Sequence, residues 1–277
     1  MFWTRLISGI VLLIIAALSF AVGGPVLAGV LLVISLIAFW ELCKATGVVT
    51  DNKWNSLATV GAVGIVVYYG VVYFLNDSSY QLMVIMGVAL VSMFAYVVQY
   101  PKFTCQQVVA GFFSFVYAPV MFAFMYLTRE NQYGMYLVWL ILICSWGCDT
   151  CAYAVGMLIG KYKIFPVLSP KKSLEGCIGG VVGAMLIGAI YSHFLVNQVV
   201  QDQNVTWIIM LISGIGAVIS QVGDLAASAI KRQQGIKDYG KLIPGHGGIM
   251  DRFDSVIVTA PMIYFLSMIL IKGLTLN

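Results

Sequence analysis

Charged side chains are scarce in this sequence. Only 9% of the 277 residues are Asp, Glu, Lys or Arg, whereas 61% are hydrophobic. A soluble domain has about 25% charged and about 45–50% apolar residues, so this composition excludes an ordinary cytosolic globule, a disordered chain and a protein that binds nucleic acid through a basic face. The sequence therefore predicts a polytopic membrane protein.

Nine stretches are long and apolar enough to cross a bilayer, which requires about 20 predominantly apolar residues. The expected fold is thus an all-α membrane bundle of about nine transmembrane helices, without a separate soluble domain. Arg5 and the apolar run after it also match a cleaved signal peptide, but the run is long and a second span follows at once, which favours a retained helix. The approximate limits are 6–22, 26–46, 56–75, 80–99, 104–127, 134–159, 177–198, 205–229 and 255–276.

The basic residues divide unevenly between the two faces that nine spans create. Because Lys and Arg concentrate in cytoplasmic loops, the face with thirteen of them is predicted to be cytoplasmic, and the C-terminus at Asn277 to lie outside. The outer face has only Arg129 and Lys272. The cytoplasmic face has Arg5, Lys44, Lys53, Lys102, Lys161, Lys163, Lys171, Lys172, Lys231, Arg232, Lys237, Lys241 and Arg252.

The two halves of the chain differ in polar content. Residues 1–130 are predicted to be mainly architectural, because their spans carry few polar features beyond Glu41. Residues 131–277 contain the charged loops and two acids within spans, Asp149 and Asp224. A carboxylate in lipid is costly and usually faces the bundle interior or a wet cavity. These acids predict a shared cavity on the cytoplasmic side, although each is also compatible with a hydrogen-bonded packing role.

The loop after the sixth span suits a polyphosphate ligand. It contains Ser169, Lys171, Lys172 and Ser173. Lysines bind phosphate as point charges, and hydroxyls and free backbone N–H groups near a turn add donors. The alternative is a basic anchor that contacts anionic lipid headgroups.

The segment after the eighth span is more informative. Asp251 and Asp254 are three residues apart, so on a helix they share a face and can hold Mg²⁺ with hard oxygen ligands. Arg252 between them can clamp a phosphate. Gly247 and Gly248 precede this helix, where backbone can approach a phosphate and the helix N-terminus is partly positive.

This segment resembles the phosphatidate cytidylyltransferase (CDP-diacylglycerol synthase) family. The family pattern runs from a Ser through Lys-Arg, Lys-Asp, Pro-x-His-Gly-Gly and Asp-Arg-x-Asp, and each fixed position has a counterpart between Ser228 and Asp254. The resemblance continues over Asp149-Thr150 and over the Ser169–Gly176 loop. It covers the second half of the chain directly, and the first half only in being apolar.

The resemblance implies that CTP and phosphatidate react to give CDP-diacylglycerol and pyrophosphate, with Mg²⁺ as cofactor, at the cytoplasmic face of a bacterial cell membrane. Nucleic acid is not expected as a partner, and the oligomeric state is left open, a homodimer included. The expected catalytic residues are Asp224, Lys231, Arg232, His246, Asp251 and Asp254. The expected nucleotide-binding residues are Ser169, Lys171, Lys172, Ser173, Lys237, Lys241, Gly247, Gly248 and Arg252. The expected metal ligands are Asp149, Asp224, Asp251 and Asp254.

Two other functions remain open at this point. In a CTP-dependent kinase of polyprenol or phytol, the alcohol of the lipid would attack the γ-phosphorus of CTP, and CDP would be released. An ion-coupled transporter would use the buried acids but leave the dense basic segment unexplained. Cys148 and Cys151 form a CxxC inside an apolar stretch, where packing is favoured over a redox or metal role.

Overall fold

The computed structural model describes residues 2–50, 53–200, 204–245 and 247–271, without the side chains of residues 2–6. This part of the chain is all-α, with nine long helices and no strand longer than an isolated bridge. The helices are α1 Phe2–Val22, α2 Gly24–Ala45, α3 Ser56–Phe74, α4 Ser78–Val98, α5 Cys105–Glu130, α6 Gly134–Ile159, α7 Leu174–Val196, α8 Thr206–Gln233 and α9 Met250–Leu270.

The prediction of an all-α polytopic bundle is confirmed. Helices α2 to α9 are each long and apolar enough to cross a membrane, and the Ile7–Val22 part of α1 is apolar but shorter. The predicted starts of α7 and α9 differ from the structure by three and five residues. Helix α7 begins earlier because the Ser173 side chain accepts a hydrogen bond from Gly176 N, and α9 begins at Met250 because carboxylates accept its first N–H groups. Predicted positions Asn277 and Lys272 lie outside the described residues.

Three of the helices contain a five-residue π-helical turn. These turns are Val116–Val120 in α5, Ile143–Gly147 in α6 and Ser192–Val196 in α7. Pro119, which has no N–H to donate, explains the first of them. The second directly precedes Cys148 and Asp149. Because π-turns widen a helix locally and often occur at functional sites, this one marks the start of the polar part of α6.

The chain divides into two compact units. The first comprises residues 1–126 and 233–253, and the second comprises residues 127–232 and 254–277. In the first unit, Tyr68 packs edge-on against Phe115, and Ser35 and Tyr69 share a buried hydrogen bond of 2.7 Å between hydroxyls. The segment from 233 to 253 thus belongs with the N-terminal helices, although it is more than 100 residues away in the chain.

In the second unit, α6 and α7 pack closely through small residues. A Cβ added to Gly179 would overlap Val155, and one added to Gly183 would overlap Cys151. Small residues let two helix backbones approach each other in a membrane, where van der Waals packing drives association. This contact fixes the polar end of α6 against the start of α7.

Candidate active site

A cavity of about 650 Å³ lies in the second unit, between the polar end of α6 and the start of α7. It contains four of the predicted site residues, Asp149, Lys171, Lys172 and Ser173. The remaining lining residues are Ala152, Tyr153, Gly156, Met157, Lys163, Pro170, Gly176, Cys177 and Gln221. Basic side chains at one part of a partly apolar cavity fit an anionic ligand that also has apolar parts.

Lys172 connects the α6–α7 loop with α8. Its Nζ forms an ion pair of 2.5 Å with Asp224 Oδ2, and the two side chains are 20% and 26% exposed. The prediction placed these residues in one site although about 50 positions separate them. The structure brings them into direct contact, so the loop is part of a defined charge cluster within this unit.

Asp254 adds a second acid to this cluster. It is only 8% exposed, and its charged neighbours are Asp224, Asp149 and Lys231. Its Oδ1 also accepts a hydrogen bond of 2.8 Å from Ser255 N. Carboxylates that are buried near one another repel, and nearby cations offset this repulsion. Lys172 and Lys231 provide such cations in the structure.

The loop between α6 and α7 is held by its own polar groups. Glu175 accepts hydrogen bonds from the backbone N–H groups of Lys161 and Tyr162, and Lys163 Nζ donates to the carbonyl of Lys171 at 3.0 Å. Ser173 is 2% exposed, and its hydroxyl oxygen caps α7. Ser173 therefore shapes the cavity wall, and only its O–H remains as a donor toward a ligand.

Gln221 is a cavity residue that the sequence analysis missed. Its side-chain nitrogen donates to the carbonyl of Cys177 at 2.9 Å and to Cys148 Sγ at 3.4 Å, which fixes the orientation of the amide. The residue is 9% exposed and lies one turn before Asp224 on α8. That spacing of three from an acid within an apolar span is the signal that could have identified it.

The signature loop, residues 234–249, has a different construction in the first unit. Asp251 Oδ2 accepts hydrogen bonds from Tyr239 N at 2.8 Å and from Gly248 N at 2.9 Å. Gly247 adopts φ +86°, a conformation that favours glycine, and its carbonyl accepts from Ile243 N at 2.8 Å. The loop is therefore folded back on itself and tied to the first turn of α9.

Glu41 completes this arrangement from α2. Its carboxylate is 6% exposed and accepts from Ile249 N at 3.1 Å and from Met250 N at 2.9 Å. Glu41 was predicted to belong to a mainly architectural region, yet it contacts the signature loop directly. The chain separation of 208 residues explains why no local pattern indicated this contact.

These bonds bear on one part of the sequence interpretation. The backbone at Gly247 and Gly248 and the N-terminus of α9 were expected to lie close to a phosphate. In the structure the N–H groups of Gly248, Ile249 and Met250 already donate to Asp251 or Glu41. Carboxylates of the protein therefore occupy the position at the start of α9 where a phosphate was expected. Phosphate binding by Gly247 and Gly248 stays a prediction.

The other predicted residues lie at or near these two regions. Lys231 and Arg232 are in the last turn of α8, and Arg252 is half-buried in the first turn of α9. Lys237 and Lys241 are exposed on the signature loop, and Ser169 is half-buried in the α6–α7 loop. His246 lies outside the described residues, so its catalytic role stays a prediction.

The side-chain oxygens of the acid cluster can be compared with the ligands that Mg²⁺ prefers. Asp149, Asp224 and Asp254 provide the oxygen ligands that Mg²⁺ prefers, and their mutual repulsion favours a cation nearby. Within the residues that the structure describes, however, no group of three or more His, Cys, Asp and Glu side chains is arranged to hold a metal. The donor chemistry fits Mg²⁺, with the Lys172 ion pair at Asp224 as the contact that would have to rearrange.

Comparison with known proteins identifies relatives over nearly the whole chain. The family model described as the cytidylyltransferase family matches residues 3–270. A phosphatidate cytidylyltransferase of Staphylococcus saprophyticus is 29% identical over 263 residues, which cover 95% of this chain and 97% of the relative. One from Staphylococcus aureus is 30% identical with the same coverage, and one from Haemophilus influenzae is 42% identical over 134 residues, 48% of this chain and 46% of the relative.

Proposed function

Because the chain belongs to the cytidylyltransferase family, we infer that it is a phosphatidate cytidylyltransferase, an integral membrane nucleotidyltransferase of phospholipid biosynthesis. A phosphate oxygen of phosphatidate forms a bond to the α-phosphorus of CTP. The bond from that phosphorus to the oxygen bridging to the β-phosphorus breaks. CDP-diacylglycerol and pyrophosphate are the products.

The observation that links this function to particular residues is the cavity of the second unit. A substrate for this reaction has phosphate groups next to apolar chains. Lys163, Lys171 and Lys172 supply positive charge, while Tyr153 and Met157 supply apolar surface. Tyr153 and Met157 are 68% and 67% exposed, so the apolar part of the cavity is open to surrounding lipid. This combination supports binding of the lipid phosphate at the lysines.

The chemistry requires positioning and charge neutralisation more than proton transfer. The attacking phosphate oxygen is already anionic, so a strong general base is unnecessary. CTP and phosphatidate together carry several negative charges, and these repel one another at close range. In this proposal Lys171 and Lys172 hold the phosphates, and Lys231 stabilises the charge that develops on the departing pyrophosphate.

Mg²⁺ is proposed as the cofactor, with Asp224 and Asp254 as its main ligands and Asp149 beside them. When bound, the ion would neutralise phosphate charge and orient the α-phosphorus. The support is the cluster of acids around Asp254, whose like charges favour a cation. Asp251 remains a candidate ligand, although two backbone N–H groups already occupy its Oδ2.

The site is proposed to face the cytoplasm. The thirteen-to-two division of basic residues supports this orientation. Single cysteines at positions 171 and 241, on a background without the six native cysteines, should react with an impermeant maleimide only after the cells are opened. Labelling of either position from outside intact cells would overturn the orientation.

The reaction is tested with the purified full-length protein in detergent, supplied with CTP, phosphatidate and Mg²⁺. We expect CDP-diacylglycerol and pyrophosphate in equal amounts, and neither product when phosphatidate or CTP is omitted. Release of CDP with a phosphorylated lipid alcohol would instead indicate the kinase. A protein that makes no product from CTP with either lipid would contradict both enzyme functions.

A further inference from the structure

We propose that Glu41 is a positioning residue of the active site, which holds the signature loop and the start of α9 through their backbone N–H groups. It does so without contacting the reacting atoms. The activity readouts below rest on the proposed function, whereas the exchange measurement does not.

The first support is the environment of the carboxylate. A buried carboxylate is costly unless hydrogen bonds or a cation stabilise it. Glu41 is 6% exposed, and its two oxygens accept from two consecutive N–H groups, Ile249 N and Met250 N. Such groups at a helix start have no partner within the helix and carry partial positive charge. Glu41 therefore satisfies donors that α9 cannot satisfy by itself.

The second support is the close packing of the loop on this carboxylate. A Cβ added to Gly240 or to Gly248 would overlap the Glu41 carboxylate. A side chain at either position would displace the Glu41 carboxylate from its present place, because the backbone passes directly over the Glu41 oxygens. Gly240 lies near the middle of the signature loop and Gly248 near its end, so one side chain from α2 packs against two separate parts of the loop.

The third support is that Asp251 accepts hydrogen bonds from other N–H groups of the same loop. Asp251 accepts from Tyr239 N and Gly248 N, next to the residues that Glu41 contacts. The two carboxylates together engage four backbone N–H groups of residues 239–250. The predicted basic residues Lys237 and Lys241 flank Tyr239 in the chain, so the position of these cations depends on the Glu41 and Asp251 contacts.

This role predicts a specific kinetic signature. If the loop is held less firmly, fewer molecules have the basic residues in place when substrates are bound. We expect Glu41→Gln to lower kcat at least about tenfold and to change KM for phosphatidate less than threefold. Glu41→Ala should lose more activity than Glu41→Gln, because Gln retains one acceptor oxygen. Glu130→Gln makes the same chemical change at an exposed position and should match the wild type.

Hydrogen exchange provides the readout that does not depend on catalysis. In Glu41→Gln, the amides of residues 248–250 should exchange at least about tenfold faster than in the wild type, whereas those in the middle of α8 should be unchanged. Unchanged exchange at 248–250 would overturn the proposal, even if activity fell. If the wild-type protein formed no CDP-diacylglycerol, the proposed function would fail while this measurement would still decide the role of Glu41.

A double substitution tests the contact itself. Gly248→Ala should reduce activity strongly in the wild-type background, because its Cβ would overlap the Glu41 carboxylate. In a Glu41→Ala background the overlap is removed, so the same substitution should cost less than about twofold further. Equal fold losses in both backgrounds would show that the two residues act independently and would contradict the proposal. If Glu41→Ala fails to fold, the cycle is repeated with Glu41→Ser.

Discussion

Two pairs of acids in this protein have different kinds of partner. Asp224 and Asp254, in the second unit, have lysine ammonium groups as their positive neighbours. Glu41 and Asp251, in the first unit, accept hydrogen bonds from backbone N–H groups. A lysine side chain can move and exchange its partner for a ligand, whereas a backbone amide is fixed by the fold. The first pair is therefore suited to substrates and ions, and the second to holding the chain.

The largest effect is expected from removing charge in the lysine-paired cluster. Asp224→Asn keeps the side-chain shape but removes a charge from the proposed metal and phosphate site. Turnover should fall roughly a thousandfold with the helical content unchanged, and EDTA should abolish the activity of the wild type. Pyrophosphate release and circular dichroism measure the two quantities. Near-normal turnover of the variant, or full activity in EDTA, would remove the metal assignment.

A fall of about a hundredfold is expected for Asp251→Ala, through a different cause. The substitution removes the oxygen that accepts from both Tyr239 N and Gly248 N, which loosens the signature loop. Amide exchange at residues 239 and 248 should rise, while the Mg²⁺ concentration for half-maximal activity changes less than threefold. A large increase in that concentration with unchanged exchange would instead place Asp251 among the metal ligands.

Lys172→Gln should reduce kcat/KM for CTP at least about tenfold, roughly 1.4 kcal/mol of transition-state stabilisation. Lys172 is ion-paired with Asp224, whereas its neighbour Lys171 is exposed, so Lys171→Gln is expected to have the smaller effect. Steady-state kinetics of both variants provide the comparison. Wild-type kinetics in both would reduce the α6–α7 loop to a membrane anchor.

The smallest effect is expected from substitution of a cysteine outside the two pairs of acids. Cys151 is half-buried on α6, and all six cysteines are free. Cys151→Ser should keep turnover within about twofold of the wild type, because its thiol serves packing against Gly183. A loss of tenfold or more, or restoration of activity by a reductant in the wild type, would indicate a redox role, which the sequence interpretation did not favour.

Much of the fold could be predicted from the sequence because membrane spans depend on local composition. The nine expected stretches correspond to the nine helices of the described residues, and only helix ends were displaced. The ends at Ser173 and Met250 depend on capping contacts. The cap by Ser173 is local and can be read from the sequence, whereas the cap by Glu41 is not local.

The candidate site was predictable in its residue types but not in their partners. An acid within an apolar span is conspicuous in the sequence, so Asp149, Asp224 and Glu41 were all noticed. Whether such an acid meets a lysine, a metal or a backbone amide depends on contacts between distant segments. Glu41 was therefore assigned to an architectural region, and Gln221, an uncharged residue, was not noticed at all.

The contact between Glu41 and α9 also has a consequence for biosynthesis. Ile249 is made 208 residues after Glu41, and at about 5–20 residues per second this interval lasts roughly 10 to 40 s. During this time α2 is already synthesised, but the backbone N–H groups from which the Glu41 carboxylate will accept hydrogen bonds do not yet exist. A carboxylate that is buried without partners is costly, so we expect water to solvate Glu41 in the nascent chain until the start of α9 is made. Insertion of α9 then completes the site, and a chain truncated before α9 would retain most of its spans without a functional signature loop.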